Sequence, residues 1–108
     1  MNPTIENMYS FIESVEQFVR LVILGQIGLA DKYVSIILEN LSNVFPEIIK
    51  LYDEGKYNLA SEDKEYWIAQ MGRILEVLDG EDYFAKIDVL YHETCENMLY
   101  VAGKIGEE

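Results

Sequence analysis

The stretch that decides the fold is residues 27–51, IGLADKYVSIILENLSNVFPEIIKL. Its apolar side chains recur at alternating steps of three and four residues, at Ile27, Ala30, Val34, Ile37, Leu41, Val44, Ile48 and Leu51. Steps of three and four place side chains on one face of an α-helix. The stretch therefore predicts a long amphipathic helix with one buried face.

Three further segments carry similar apolar ladders. The first ladder consists of Ile5, Met8, Ile12, Val15, Val19 and Val22. The third consists of Trp67, Ile68, Met71, Ile74, Leu75 and Leu78. The fourth consists of Phe84, Ile87, Tyr91, Met98, Val101 and Ile105, with Thr94 at its one polar step. No segment alternates apolar and polar residues for long enough to indicate a strand, so we expect an all-α protein with four main helices.

Capping residues and glycines mark where these helices begin and end. Asn2 precedes Pro3 and can cap a first helix that runs to about Leu24, where Gly25 can end it. Gly55 is expected to end the second helix, and Ser61 to cap the third. The turn 79–81 precedes an N-cap at Asp82 and a fourth helix to about Gly103, and residues 106–108 should fray. Four helices with short connections predict an antiparallel up-down four-helix bundle in one domain, residues 1–108.

Pro46 lies inside the second ladder. Proline removes one helical hydrogen bond and clashes with the carbonyl four residues earlier, here that of Ser42. The ladder nevertheless keeps its phase from Leu41 to Leu51. We favour one helix kinked at Pro46 and ending near Glu54, and two separate helices are the alternative.

The composition limits the classes of function. One cysteine, Cys95, excludes an internal disulfide and fits a cytoplasmic location. No apolar run approaches the length of about 20 residues that a membrane helix requires, and no signal peptide is expected. The net charge of −12 opposes binding to nucleic acid, because phosphates would be repelled. It is compatible with a basic protein partner.

The residues that could carry metal or catalytic chemistry are few. Asp88, His92 and Glu96 share a helical stripe, but one histidine cannot complete a typical bundle metal site. Cys95 and His92 lie three residues apart, without a clear orienting group or an oxyanion turn. Glu16, near the edge of the first ladder, is expected to be a partly buried structural carboxylate. We therefore predict no metal, no cofactor and no enzymatic activity.

Thirteen aromatic residues, eight of them tyrosines, are many for 108 residues. Tyrosine combines a large contact area with a polar tip, which suits protein-binding surfaces. The ladders place apolar and acidic residues on the outer faces of the third and fourth helices, and these are the candidate partner-binding residues Tyr66, Val77, Asp82, Val89, Glu93, Glu96 and Tyr100. A second outward group near the first turn consists of Leu21, Leu24, Leu29 and Ile36.

The run VLDGED at residues 77–82, followed by IDVLYHE at residues 87–93, resembles the last helices of small all-helical bacterial proteins of unknown function. It is also similar, more distantly, to the helical export chaperones of the bacterial flagellum. The resemblance covers the last 30 to 40 residues. The first family implies no activity, and the second implies a helical bundle that holds an amphipathic segment of a client. The long second helix with Pro46 departs from the chaperones, so no residue role is carried over.

Two classes of function follow from the sequence. The first is a non-catalytic protein-interaction module: an adaptor, a chaperone-like protein or an acidic inhibitor of a basic target. The second is an all-helical enzyme or small-ligand binder with a pocket between helices. The sequence leaves the partner, the pathway and homo-oligomerisation open.

Overall fold

The computed structural model describes residues 2–106, and every regular element in that range is helical. The α-helices are α1 (Pro3–Ile23), α2 (Ile27–Asp53), α3 (Lys64–Asp79), α4 (Tyr83–Ile87) and α5 (Glu96–Gly106). A π-helical segment, Asp88–Cys95, joins α4 to α5, and we call these three elements together the C-terminal rod. With the rod counted as one helix, the predicted all-α fold with four main helices is confirmed. None of the described helices is long and apolar enough to cross a membrane.

The ends of α1 follow the predicted capping residues. The Asn2 side-chain oxygen accepts hydrogen bonds from the backbone N–H groups of Thr4 and Ile5, at 2.8 and 3.3 Å. Gly25 has a φ of +74°, the left-handed conformation that ends helices and that residues with a Cβ rarely adopt. At the other end of the chain Gly106 still belongs to α5, where fraying was predicted, and Glu107 and Glu108 lie outside the described residues.

Helices α1 and α2 form an antiparallel hairpin. Asn7 donates to the Glu47 carboxylate at 2.8 Å, and Asn40 donates to the Ser10 carbonyl at 3.2 Å, so later positions on α1 meet earlier ones on α2. Both ladders point into the shared core, where burial of each large apolar side chain stabilises the fold by about 1.5–3 kcal/mol. The fully or almost fully buried residues include Met8, Phe11, Val15, Phe18, Ile37, Leu41, Val44 and Ile48.

Helix α2 continues through Pro46 from Ile27 to Asp53. The prediction of one helix rather than two is confirmed. Val44 and Ile48, on either side of the proline, are both completely buried. Apolar packing on both sides therefore offsets the hydrogen bond that Pro46 cannot donate.

Two predictions for α3 are wrong. Ser61 does not cap it: residues Ser61–Asp63 form a 3₁₀ turn, and α3 begins at Lys64. The predicted ladder also includes Ile68 and Leu75, which are about half exposed at 52% and 51%. The buried face of α3 therefore differs from the predicted one. It includes Gln70, a polar residue that the apolar pattern excluded and that is buried against the C-terminal rod.

The π segment changes which face of the C-terminal rod is buried. A π-helix bonds residue i to i+5, so it advances around the axis by less per residue than an α-helix. A ladder with a constant α-helical period cannot follow that change. As a result Phe84 is 79% exposed and Tyr91 is exposed, although both were predicted to be in the core. Val89, predicted to lie on the outer face, is buried, and Val77, also predicted outside, is half-buried against the core.

Candidate functional site

A small cavity opens where the end of α2, the start of α3 and the start of α5 meet. Its volume is about 220 Å³. We call it the aromatic pocket, and it is lined by Tyr52, Asp63, Tyr66, Trp67, Asn97 and Tyr100. Four of these six side chains are aromatic, which sets the chemistry that the pocket offers to a ligand.

The aromatic pocket has a rigid floor and an open rim. Tyr52 and Trp67 are almost completely buried, at 3% and 2% exposure, whereas Tyr66 and Tyr100 are exposed at 45% and 57%. The rings of Tyr66 and Trp67 stand nearly perpendicular, with centroids 6.2 Å apart and an interplanar angle of 82°. Two walls of the pocket therefore meet at a right angle, and the outer walls are reachable from solvent.

Asn97 holds the Tyr66 ring in place. Its side-chain amide donates to the Tyr66 hydroxyl oxygen at 2.5 Å and to the Glu93 backbone carbonyl at 2.8 Å. The first bond crosses from α5 to α3, and the second anchors the amide one helical turn earlier in the rod. An exposed tyrosine that would otherwise change rotamer is thus oriented toward the pocket.

Asp63 supplies the charge of the pocket. Its carboxylate lies on the 3₁₀ turn before α3, and the side chain is exposed. Burial raises the pKa of the Tyr52 hydroxyl, a hydrogen bond from Trp67 opposes that shift, and the nearby negative charge of Asp63 adds to it. Tyr52 therefore stays protonated at neutral pH, and the pocket offers ring faces and hydroxyls beside one carboxylate.

The connection between α2 and α3 places Asp63 over the end of α2. Gly55 has a φ of +63°, and Tyr57 and Asn58 also adopt left-handed backbone, at +57° and +59°. Such conformations cost residues with a Cβ about 1–2 kcal/mol each. The buried side chain of Leu59 and a 2.6 Å ion pair between Lys64 and Asp53 hold the connection against the helices.

The structure brings together two of the seven predicted site residues, Tyr66 and Tyr100, in the aromatic pocket. Three others, Val77, Val89 and Glu93, line a separate cavity of about 370 Å³ between α3 and the C-terminal rod. Val89 is buried, so its predicted position on the outer face is wrong, while its role in binding a partner stays a prediction. The seven residues predicted to form one face therefore do not lie together: five of them line two separate cavities, and Asp82 and Glu96 line neither of these.

The three acidic residues among the predicted site residues differ in whether their carboxylates already have a partner within the chain. Asp82 caps α4, as expected, by accepting from the Ala85 N–H at 3.0 Å. Glu93 is half-buried and pairs with Arg73 at 2.9 Å, so much of its charge is already neutralised within the chain. Glu96 is exposed at the first position of α5, one residue before Asn97 of the pocket.

Sequence reasoning missed four pocket residues: Tyr52, Asp63, Trp67 and Asn97. Trp67 was assigned to the core, which is correct for its burial, and Tyr52 lies one residue beyond the second ladder. The unusual number of tyrosines was the signal for an aromatic site. Periodicity could not place Tyr52 and Asp63 together, because their contact depends on the left-handed turn after Gly55.

A third cavity lies between α1 and the π segment. This apolar groove measures about 440 Å³ and is lined by Glu16, Val19, Arg20, Ile23, Leu24 and Tyr91. Ile23 and Leu24 are 75% and 58% exposed. Leu24 belongs to the second outward group predicted from the sequence. Glu16, expected to be partly buried, is exposed.

The residues considered for catalysis or metal binding lie in different surroundings: Cys95 is buried, whereas His92 is at the surface. Burial raises the pKa of the Cys95 thiol to about 12, and the negative charge of Glu16 contributes to that rise. A thiol with this pKa carries almost no nucleophilic thiolate at neutral pH. Asp88, His92 and Glu96 are all exposed. Among residues 2–106 no group of three or more His, Cys, Asp or Glu side chains has an arrangement that could hold a metal ion.

Comparison with known proteins gives no match to a protein-family model, a curated protein or a solved structure. The similarity of residues 77–93 to uncharacterised bacterial helical proteins and to flagellar export chaperones therefore stays a prediction.

Proposed function

We propose that this protein is a non-catalytic protein-interaction module that binds a basic segment of a partner protein at the aromatic pocket. The observation that carries the proposal is the combination of four aromatic rings and the Asp63 carboxylate in one small, open cavity. Aromatic residues that combine a buried base with an exposed edge are the usual anchors of protein interfaces.

The charge of the whole chain favours the same class of partner. With eight basic and twenty acidic residues, the protein carries a net charge of −12. Such a field accelerates encounters with a basic surface more than it tightens the final complex. Exposed acids near the pocket, Asp63 and Glu96, would orient the basic segment on arrival, and nucleic acid would be repelled.

The proposal also covers the arrangement of the helices and the place where the protein works. The four helices would pack in up-down order, supported by the antiparallel contacts of α1 with α2 and of α3 with the C-terminal rod, where Arg73 meets Glu93 and Tyr66 meets Asn97. Helix α2 would bend at Pro46. The protein would work in the cytoplasm without enzymatic activity or cofactor, as an adaptor, a chaperone-like protein or an inhibitor.

The apolar groove supports the second candidate function, a small-ligand binder. Its volume of about 440 Å³ lies within the range of roughly 300–1,000 Å³ typical of small-molecule sites. Glu16 and Arg20 could provide polar contacts at its edge. A small molecule that copurifies with the protein and contacts Ile23 and Tyr91 would favour this function over the first.

The test is partner capture with surface variants. The purified protein is immobilised, and bound proteins from the source cells are identified and then tested singly for direct binding. Replacing Tyr66 and Tyr100 together by serine should reduce binding of the partner by at least tenfold, because interface aromatics are common hot spots. Thermal unfolding of the double variant should change little, since Tyr66 and Tyr100 are 45% and 57% exposed and lie outside the buried core.

Tyr9→Ser is a matched control for Tyr66→Ser. The two tyrosines are exposed to almost the same extent, 44% and 45%, and Tyr9 lies on α1 rather than in the pocket. Tyr9→Ser should leave capture unchanged. Equal loss in both variants, or full capture by the double variant, would contradict the proposal and move the binding face elsewhere, with the apolar groove as the next surface to test.

A further inference from the structure

The aromatic pocket is sized for one small chemical group. At about 220 Å³ it is smaller than the roughly 300–1,000 Å³ of typical pockets for drug-sized ligands. It can therefore take the end of one side chain or one small head group. The exposed rim at Tyr66 and Tyr100 leaves a path for the rest of a longer molecule.

The lining selects for a positive charge. The faces of aromatic rings carry negative potential and attract cations, most strongly when water is excluded. Here four rings surround the space, and two of them, Tyr52 and Trp67, are shielded from water. Asp63 adds a full negative charge at the edge. An anion would be repelled by this carboxylate.

Tyr100 already attracts an ammonium group of the same chain. The Lys104 Nζ lies 5.6 Å from the centroid of the Tyr100 ring, within the range of a cation–π contact. Lys104 does not line the cavity. The contact shows that the Tyr100 ring can lie beside an alkylammonium group.

From this geometry we infer that the aromatic pocket binds an alkylammonium group, and that a lysine side chain of the partner provides it. The inference rests on the proposed function and specifies the group that the partner inserts. The apolar stem of the lysine passes between Tyr66 and Tyr100, and its ammonium group lies against the ring faces beside Asp63. Lysine suits this path because its charge is carried at the end of a slender apolar chain.

The first test uses small ammonium ions and the fluorescence of Trp67, the single tryptophan of the chain. Since Trp67 lines the pocket, its emission reports directly on occupancy. n-Butylammonium and tetramethylammonium should each change the emission in a saturable manner. tert-Butanol, which resembles tetramethylammonium in size but is neutral, should produce no saturable change at the same concentrations. Equal responses to the charged and neutral probes would overturn the inference.

Variants separate the ring contribution from the charge contribution. Tyr100→Leu should weaken n-butylammonium binding about threefold to tenfold, whereas Tyr100→Phe, which keeps the ring, should stay within about twofold. Asp63→Asn should weaken binding about twofold to fivefold. The control Asp79→Asn makes the same charge change about 24 Å away, at the far end of α3, and should have no effect. If Asp63→Asn and Asp79→Asn weaken n-butylammonium binding equally, the effect comes from the net charge of the protein, and this would contradict a specific site.

A peptide experiment distinguishes this inference from the proposed function. A short lysine-containing peptide should quench or shift Trp67 emission, and its norleucine version, with the ammonium removed, should not. If no ammonium probe or peptide affects Trp67 while partner capture still depends on Tyr66 and Tyr100, the interaction module stands and the lysine assignment is wrong. An arginine peptide that binds more tightly than the lysine peptide would likewise overturn the assignment to lysine. If partner capture does not depend on Tyr66 and Tyr100 either, both the lysine assignment and the proposed function are wrong.

Discussion

The α1–α2 hairpin and the C-terminal half, α3 with the C-terminal rod, bury polar groups to different extents. In the hairpin the buried polar residue is Ser14, whose hydroxyl donates to the Phe11 carbonyl three residues earlier. In the C-terminal half Gln70, Lys86 and Thr94 are all buried. The buried part of the hairpin is therefore almost entirely apolar, whereas the core of the other half also contains polar side chains, of which Gln70 and Thr94 are hydrogen-bonded to each other.

Gln70 shows how the C-terminal half is organised. Its side-chain amide donates to the Thr94 hydroxyl at 2.9 Å and to the Glu93 carboxylate at 3.3 Å. Thr94 in turn donates to the Val89 carbonyl at 2.7 Å, five residues earlier within the π segment. The network joins α3 to the rod at the point where helical geometry changes. Asn97 and Tyr100 of the aromatic pocket follow directly after it.

The largest difference between the halves should appear on removal of a core ring from the hairpin. Phe11 is completely buried in α1. Phe11→Ala should lower the free energy of unfolding by about 3–5 kcal/mol, because it removes apolar contacts and leaves a cavity. Chemical denaturation monitored by circular dichroism measures this change. A loss below about 1 kcal/mol would mean that the hairpin is not the main source of stability.

A smaller loss is expected from the polar network of the C-terminal half. Gln70→Leu keeps a similar volume and removes the hydrogen bonds to Thr94 and Glu93, so it should cost about 1–2 kcal/mol. The double variant Gln70→Leu/Thr94→Val should lose less than the sum of the two single variants, since the partners belong to one network. Denaturation of all three variants gives the coupling energy. If the losses of the two single variants add up to that of the double variant, Gln70 and Thr94 stabilise the fold independently.

The same contrast explains how much the sequence could predict. In the hairpin, the predicted ladders lie on the buried faces of α1 and α2 and both helices were placed correctly, although the completely buried Phe11 and Phe18 were not in the predicted ladder. In the C-terminal rod the π segment changes the period between Asp88 and Cys95, and the buried face then includes Val89 and excludes Phe84. Apolarity alone also left out Gln70, because its burial depends on hydrogen-bond partners on another helix.

The candidate site was predicted in part for related reasons. Tyr66 and Tyr100 were chosen as outward-facing aromatics, and both line the aromatic pocket. Tyr52 and Asp63 could not be assigned, because the turn through Gly55, Tyr57 and Asn58 determines where they meet. An irregular connection has no periodic pattern of apolar residues, so the sequence does not predict which residues it brings together.

The central claim is that binding takes place at the aromatic pocket, where α3 and the C-terminal rod meet the end of α2, while the rest of the hairpin provides the stable support. Backbone amide shifts of ¹⁵N-labelled protein, followed by NMR during titration with a short lysine-containing peptide, test it most directly. The largest changes should cluster at residues 62–67 and 96–101, together with the indole N–H of Trp67, and α1 should show little change. Changes concentrated around Val19, Ile23 and Leu24, or spread evenly over the acidic surface, would contradict the account.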